Sequence, residues 1–173
     1  IAQPEETQAL AQLAEATFRD TFAAANSAAN MDAHCRANYG EAVQAREIAD
    51  ASMQTFVAEH AGQLVAYAQL RFGRAPGCVH AQRPGEILRL YVRHDWRGRG
   101  LAQQLMGACL AALRDRGADA AWLGVWEHNL RAIAFYRKFG FTEVGDHVFA
   151  VGDDPQRDIV MMRPMSNERS AHS

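Results

Sequence analysis

Several hallmarks of common protein classes are missing from this 173-residue sequence. It has three cysteines, Cys35, Cys78 and Cys109, and no Cys-x-x-Cys pair, which argues against a disulfide framework or a structural zinc site. This cysteine usage favours a reducing, cytoplasmic environment. No apolar run approaches the roughly 18 residues of a membrane span. The first 25 residues also lack the basic start and apolar core of a secretory signal. We therefore expect no membrane association and no metal ion.

The sequence also lacks an excess of charge of either sign. Its 18 lysines and arginines and its 20 aspartates and glutamates give a formal net charge of −2. This balance offers no basic footprint for the phosphates of a nucleic acid. The length and the 49% of hydrophobic residues suit one domain, which we place at residues 1–165 before a polar tail, 166–173. The oligomeric state stays open, a homodimer being one option.

The spacing of apolar residues predicts the order of helices and strands. Helical spacing indicates one helix over 5–25 and a second over about 32–50, separated by residues 26–30. Two apolar runs, 53–60 and 64–72, flank Ala61-Gly62 and predict a hairpin. After a loop, the remaining predicted strands are 86–92, 120–126, 141–151 and 156–163, and the remaining helices begin at 101 and 129. This order predicts a mixed α/β fold about one sheet, with the strands at 86 and 120 parallel because a helix joins them.

The stretch from Glu86 to Ala102 is the most informative part of the chain. An apolar strand leads to Arg97-Gly98-Arg99-Gly100, and a helical pattern begins at Leu101. Glycines there let the main chain take φ > 0 and approach a ligand closely. The free N–H groups and positive dipole end of the following helix favour phosphate. The turn is too short for a Walker loop and lacks the third glycine of a dinucleotide-binding turn. An ordinary strand–helix turn remains an alternative.

A second segment makes the pattern specific. Arg97-Gly98-Arg99-Gly100-Leu101-Ala102 matches the pyrophosphate loop of GNAT acetyltransferases, Gln/Arg-x-x-Gly-x-Gly/Ala. Residues 129–141 resemble the family's second signature, Asn-x-x-Ala-x-x-Phe-Tyr-x-x-x-Gly-Phe. Both signatures lie in the family's order and on the expected elements. The chain is therefore identified as a member of the GNAT superfamily. This implies the GNAT acyl-CoA N-acyltransferase fold, in which a mixed sheet splays between two parallel strands and helices cover both faces.

A narrower resemblance points to a subgroup. Residues 122–127, residues 147–158 and residues 17–22 followed by Asn26-Ser27 look like the PaiA-type polyamine N-acetyltransferases. The resemblance implies that acetyl-CoA is the cosubstrate and that a primary amine of a small molecule, spermidine or spermine first, is the acceptor. Two alternatives stay open: acetylation of a protein N-terminus or lysine, and a catalytically weak acetyl-CoA-binding module that regulates a partner.

The resemblance also assigns residues to the cofactor. The pantetheine arm pairs with the main chain of the strand that begins at Glu86, like an added strand. The turn after that strand holds the pyrophosphate, and two residues of the second signature complete the site. The predicted cofactor-binding residues are Leu90, Tyr91, Val92, Arg97, Gly98, Arg99, Gly100, Leu101, Ala102, Asn129 and Phe135.

Two residues are candidates for the proton transfers. An alkyl ammonium has a pKa of about 10.4, so a base must remove a proton before the nitrogen attacks. Glu86 is the first candidate for this base, with His147 and Glu127 in reserve; an exposed carboxylate at a strand end is the alternative for Glu86. Tyr136 matches the family's general acid, which protonates the departing thiolate. Its alternative is a core aromatic residue beside Phe135.

The acceptor is expected to meet the last hairpin. We predict Glu127, His147, Asp153 and Asp154 as substrate-binding residues. The last two belong to an acidic group with Asp146 and Asp158, which would attract a chain of ammonium groups. A solvated acidic turn is the equally weighted alternative. Cys109 falls on an apolar helix stripe without a base nearby in sequence, so we expect direct transfer and no acyl-cysteine intermediate.

Overall fold

A computed structural model describes residues 1–166 of the chain. It opens with three helices, α1 (Thr7–Phe22), α2 (Ala28–Asn38) and α3 (Glu41–Ala49). The sequence predicts one helix over about 32–50, and this is wrong because the chain breaks at Gly40. Gly40 has ψ 154° and therefore leaves the helical conformation. The Gln44 side chain donates a hydrogen bond of 3.1 Å to the carbonyl of Asn38, which satisfies the end of α2.

The elements after residue 50 follow the prediction closely. They are β1 (Met53–His60), β2 (Gln63–Phe72), β3 (Pro84–Val92), α4 (Leu101–Asp115), β4 (Ala120–Trp126), α5 (Leu130–Lys138), β5 (Thr142–Val151) and β6 (Asp154–Pro164). The boundaries differ from the predicted ones by at most a few residues. β1 and β2 form the predicted hairpin, and Ala61 and Gly62 both take positive φ in its turn.

The strands form one mixed sheet in the order β1-β2-β3-β4-β6-β5. β3 and β4 are parallel and every other neighbouring pair is antiparallel. The predicted mixed α/β fold with a central parallel pair is therefore confirmed. The parallel pairing is short: it ends at Glu86 opposite Trp122, after three residue pairs.

Two hydrophobic cores lie on opposite faces of this sheet. Helices α4 and α5 cover one face, where Met106 and Leu113 pack with Leu123 of β4. Helices α1 and α2 cover the other, where Phe18 packs with Tyr67 of β2. Successive residues of β2 contribute to alternate faces, as the strand's period of two requires.

Three further expectations concern the polar tail, membrane association and metal binding. Residues 167–173 of the predicted polar tail lie outside the described residues. Among residues 1–166, no helix is long and apolar enough to cross a membrane. Within the same residues, no group of three or more histidines, cysteines, aspartates or glutamates is arranged to hold a metal ion.

Candidate active site

A cleft opens where β3 and β4 part. Beyond Glu86, β3 keeps its pairing with β2 as far as Val92, but its other edge no longer has a partner strand. The register against β2 shifts at Leu88, so that Ile87 and Arg89 face consecutive residues of β2. Such a bulge bends a strand and redirects its side chains. Together, the divergence and the bulge leave a cleft of about 950 Å³.

One end of the cleft is the turn before α4. Gly98 and Gly100 have φ of 78° and 82°, and Gly100 is the N-cap of α4. A Cβ on either glycine would meet no other heavy atom of residues 1–166 within 4 Å. The positive φ therefore explains both glycines, and the space beside them is free for a ligand. Arg97 and the first residues of α4, Leu101 and Ala102, also line the cleft.

The two arginines of the turn have different surroundings. The Arg99 guanidinium lies over the ring of Trp96, 4.4 Å from its centroid, and Arg99 is not one of the residues that line the cleft. Arg97 lines the cleft, with Nη1 3.4 Å from Nδ1 of His94. The turn thus presents to the cleft one arginine and the amides at the start of α4, which is a suitable site for a pyrophosphate.

Helix α5 forms the neighbouring wall. The Asn129 side chain caps this helix by accepting a hydrogen bond of 3.2 Å from the amide of Ala132. Asn129, Phe135 and Tyr136 all line the cleft. The predicted cofactor residues of β3, Leu90, Tyr91 and Val92, line the cleft as well. The fold therefore brings together residues of β3 and α5, such as Leu90 and Asn129, that lie about forty positions apart in the sequence.

The position of Tyr136 is compatible with both of the alternatives that the sequence left open. Its ring packs edge-on against Phe135 and Phe141, with centroids 5.5 and 6.1 Å apart. The residue is half-buried and also lines the cleft. Burial raises the pKa of Tyr136, so the phenol carries its proton at neutral pH. A protonated phenol in this position can donate to a leaving group.

Glu86 lies at the point where β3 and β4 part. It is 5% exposed, so it is not the solvent-exposed carboxylate of the alternative interpretation. Its Oε2 accepts hydrogen bonds from Nε and Nη2 of Arg71, at 2.8 and 2.7 Å. Burial raises the pKa of Glu86, and the charge of Arg71 opposes this rise. Glu86 does not itself line the cleft.

None of the four predicted substrate-binding residues is part of the cleft wall. Glu127 forms an ion pair with Arg157, at 3.1 Å. Asp153 and Asp154 lie at the turn between β5 and β6, where the Asp154 carboxylate accepts a hydrogen bond of 3.0 Å from Gln156. His147 lies behind the wall, with its Nε2 3.7 Å from Oδ2 of Asp158.

Asp158 belongs to the acidic group that the sequence predicts to attract ammonium groups, but it was not among the four predicted substrate-binding residues. It lines the cleft although it is only 7% exposed. In the sheet it lies between Trp126 of β4 and His147 of β5, directly opposite both. Its carboxylate raises the pKa of His147. The available signal was its place in that acidic group, directly before the apolar residues 159–162 of β6, which a solvent-exposed strand face would also explain.

Arg89 is a side chain that sequence reasoning missed. It lines the cleft, and its Nη1 donates to Oε2 of Glu47 and to the side-chain oxygen of Gln69, at 2.7 and 2.5 Å. Its guanidinium also lies over the ring of Tyr39, 5.0 Å from the centroid. Glu47 belongs to α3, forty-two positions away. The ion pair compensates the charge of Arg89 beneath the cleft.

The walls of this second end of the cleft are mostly aromatic. The rings come from α1, α2 and its C-terminal end, and strands β3, β4 and β5. They are Phe22, His34, Tyr39, Tyr91, Trp126 and Phe149. Asp20 and Asp158 add carboxylates to the same walls. We call the part of the cleft lined by these six rings and two carboxylates the acceptor end. The part formed by the unpaired edge of β3, the turn, the start of α4 and helix α5 is called the cofactor end.

Comparison with known proteins identifies the family. A profile of the Acetyltransferase (GNAT) family matches residues 8–141. The chain belongs to the GNAT family. An uncharacterised N-acetyltransferase of Lactobacillus delbrueckii subsp. lactis is 32% identical over 149 residues, which cover 86% of each protein. An uncharacterised N-acetyltransferase of Mycobacterium tuberculosis is 33% identical, over 90% of this chain and 96% of the relative.

Solved structures share the fold of this GNAT protein. The PaiA N-acetyltransferase of Thermoplasma acidophilum, solved in complex with coenzyme A, superposes with a TM-score of 0.75. The superposition covers 94% of this chain and 95% of that one at 18% identity. A nourseothricin acetyltransferase has a TM-score of 0.56 and 28% identity, and 68% of each chain is covered.

The GNAT protein is thus an N-acetyltransferase that depends on acetyl-CoA. The residues of the cofactor end fit this cosubstrate. The two positive-φ glycines leave free space beside the N-terminus of α4, and β3 offers an unpaired edge along the same cleft. A pyrophosphate and an extended amide-bearing arm are the chemical groups that these two features bind.

Proposed function

We propose that this GNAT enzyme acetylates a primary amine of a small cationic acceptor, with a polyamine such as spermidine or spermine as the first candidate. The observation that carries the proposal is the acceptor end of the cleft. Its walls combine aromatic rings with the carboxylates of Asp20 and Asp158, while the cation Arg89 is paired with Glu47. Aromatic faces and carboxylates both attract ammonium groups. The resemblance to PaiA-type enzymes supports the same acceptor class.

In this proposal the cofactor end holds acetyl-CoA in an extended form. The amides from Arg97 to Ala102 bind the pyrophosphate, and the main chain of Leu90, Tyr91 and Val92 pairs with the pantetheine arm. Asn129 and Phe135 border the arm from α5. Arg99 keeps its place over Trp96 and contributes positive potential near the phosphates. Bound in this way, acetyl-CoA supplies a thioester carbonyl that an amine can attack.

Glu86 is proposed to remove the proton of the reacting ammonium. Arg71 occupies Oε2, so Oε1 is the oxygen that would receive the proton, through a water molecule between Glu86 and the cleft. Burial raises the pKa of this carboxyl, which brings it closer to neutral pH and makes it a stronger base. His147 and Glu127 remain the reserve candidates for this role.

Tyr136 is proposed to protonate the departing thiolate. The new C–N bond forms, the C–S bond breaks, and the phenolic proton moves to the sulfur of coenzyme A. The nitrogen of the C–N adduct loses its second proton to the phenolate of Tyr136 through water, and the first proton leaves Glu86 for solvent, so that the reaction yields the amide, the free thiol of coenzyme A and one proton. The buried phenol keeps its proton until that moment, because burial raises the pKa of Tyr136.

Transfer is proposed to be direct. A covalent route would need a nucleophile, and the thiol of Cys109 is unsuitable because it is 0% exposed. Burial raises the pKa of this thiol to about 12, so it carries its proton at neutral pH. The amine itself is therefore the group that attacks the thioester.

A thiol-release assay with acetyl-CoA and a panel of acceptors tests the proposal. The panel contains spermidine, spermine, n-butylamine and a peptide with a free N-terminus. We expect kcat/KM for the polyamines to exceed that for n-butylamine by about tenfold or more, since each paired ammonium adds a charge-assisted contact. Equal values for polyamine and monoamine would refute the polyamine assignment. If the protein binds acetyl-CoA but releases no coenzyme A thiol with any of these acceptors, the result would favour the regulatory module.

A further inference from the structure

The Asp158 carboxylate contains an oxygen without a partner. Its Oδ1 is buried and accepts no hydrogen bond from residues 1–166. Its Oδ2 is 3.7 Å from Nε2 of His147, close enough for an ion pair and too far for a good hydrogen bond. A buried carboxylate oxygen without a donor is unfavourable, because folding has removed its contacts with water. A donor that arrives with a ligand would satisfy it.

The surroundings of Asp158 select a cation as that ligand. Trp126, directly opposite on β4, packs against Phe22, and their ring centroids are 5.2 Å apart. Burial raises the pKa of Tyr91 to about 12, and the nearby charge of Asp158 adds to this rise. Ring faces beside a carboxylate form a site for an ammonium group, which interacts with the π-electrons and donates hydrogen bonds.

The other charged groups nearby do not reverse this preference. Arg89 lies on the same cleft but is paired with Glu47, at 2.7 Å. His147 faces Asp158 from β5, and Glu86 also influences His147. The glycine at position 124 of β4 gives this pair the space that it needs. A Cβ there would crowd both side chains, at 3.0 Å from Nε2 of His147 and 3.1 Å from Oδ2 of Asp158. The ion pair with His147 involves Oδ2, and Oδ1 remains for the ligand.

A carboxylate is suited to a nitrogen that stays protonated. An adjacent negative charge favours the ammonium form of an amine and raises its pKa. The reacting nitrogen must lose its proton, so such a neighbour would hinder it. We propose that Asp158 binds a second ammonium group of the acceptor, one that keeps its charge while the other nitrogen is acetylated. This inference rests on the proposed amine acceptor and names the residue that selects for a second charge.

A pair of acceptors of the same length measures this selection. In 1,4-diaminobutane the second group is an ammonium, and in 4-amino-1-butanol it is a neutral hydroxyl. We expect the wild-type enzyme to prefer the diamine in kcat/KM by about tenfold or more, as a charge-assisted hydrogen bond predicts. Asp158→Asn keeps the size of the side chain and removes its charge, so the preference should fall to about one. The loss of kcat/KM should be about tenfold larger for the diamine than for the amino alcohol.

Asp115→Asn provides the matched control. Asp115 ends α4, is exposed and does not line the cleft, and its substitution changes the net charge by the same amount. The diamine preference should survive in this variant. Acetyl-CoA affinity, measured by calorimetry, shows that each variant is folded.

Two results would overturn the inference, and they are distinguishable. If the wild type prefers the diamine and Asp158→Asn keeps that preference, Asp158 is not the binding residue while the polycationic acceptor stands. If the wild type itself shows no preference, both the inference and the proposed polyamine acceptor fail. The wild-type comparison requires no variant, so it decides this second case even if Asp158→Asn does not fold.

Discussion

The two ends of the cleft are built in different ways. The cofactor end comes from two short stretches of chain, and its main contributions are main-chain groups: the edge of β3, the turn at Gly98 and Gly100, and the start of α4. The acceptor end comes from side chains of three helices and four strands. Main-chain sites need particular glycines and caps at fixed spacing, whereas side-chain sites need only that the fold bring suitable groups together. The first kind of site leaves a pattern in the sequence and the second does not.

The largest effect on catalysis is expected for a substitution of Tyr136, which lines the cleft. Tyr136→Phe keeps the ring and its packing but removes the proton donor. General acid catalysis contributes about 10²–10⁴-fold, so kcat should fall within this range while acetyl-CoA affinity is unchanged. Steady-state kinetics and calorimetry measure the two quantities. Tyr67→Phe, in the fully buried core under β2, is the control and should keep its kcat. A kcat near the wild-type value for Tyr136→Phe would assign the ring to the core alone.

The next effect concerns the base. Glu86→Gln should lower kcat/KM by about 10²-fold, near the lower end of general base catalysis, because water can replace the base in part. In the wild type, kcat/KM should decrease in mildly acidic solution, since burial raises the pKa of Glu86 and its protonated form is inactive. This acidic limb should be absent from Glu86→Gln. If the variant keeps the limb, another group is the base, and His147 and Glu127 become the first candidates.

A smaller effect tests the cofactor end by itself. Gly100→Val forces a β-branched residue to φ 82° and places its side chain in the space beside the turn. Acetyl-CoA affinity should fall by about tenfold or more because the amides lose their arrangement. Gly73→Val introduces the same backbone strain at φ 84° after the opposite end of β2, beside the start of β3, and should bind acetyl-CoA normally. Equal affinities in the two variants would remove the turn from the cofactor site.

The smallest effect belongs to the acceptor end. Asp158 raises the pKa of His147 in the folded protein. The pair therefore contributes stability that is fully present below the ordinary histidine pKa of about 6.5 and is lost as pH rises through the higher folded-state value. His147→Gln should accordingly cost more stability at about pH 5.5 than at about pH 9, by about 1 kcal/mol or less, since the histidine is partly exposed.

Urea denaturation at both pH values measures this difference. His80→Gln, in the exposed part of the loop before β3, is the control and should show no such pH dependence. A larger cost at the higher pH would contradict the ion pair between His147 and Asp158.

Local patterns explain how much of the fold was predictable. From β1 onward, each predicted strand and helix is present, because the apolar period and the residues that bound the element predict the same structure. The cap residue Asn129 at the start of α5 is an example. The helix predicted over 32–50 is wrong because Gly40, which is about 1 kcal/mol less favourable than alanine inside a helix, leaves the helical conformation. The hydrogen bond from Gln44 to the carbonyl of Asn38 stabilises the break. A side chain that satisfies a helix end is not visible in the apolar period.

The candidate site shows the same difference between residues in contiguous motifs and residues placed by the fold. The turn from Arg97 to Ala102 and the signature with Tyr136 were identified because their residues are contiguous. Arg89 was missed, and Asp158 was counted only as one member of the acidic group, because their positions in the cleft depend on register and on distant partners. Asp158 acquires its role from being opposite Trp126 and His147 in the sheet, and Arg89 from its pairing with Glu47 of α3. The same register leaves Asp153 and Asp154 at the turn, outside the cleft wall.

The independence of the two ends is tested most directly by a double-mutant cycle. It uses Gly100→Val, Asp158→Asn and the double variant, with kcat/KM for 1,4-diaminobutane as the measured quantity. Gly100 lies at the N-terminus of α4, and Asp158 lies in β6 opposite Trp126 and His147. The logarithmic effects should therefore add, with a coupling energy within about 0.5 kcal/mol. A coupling energy well above about 1 kcal/mol would show that the turn and Asp158 act as one unit, contrary to a cleft with separately built ends.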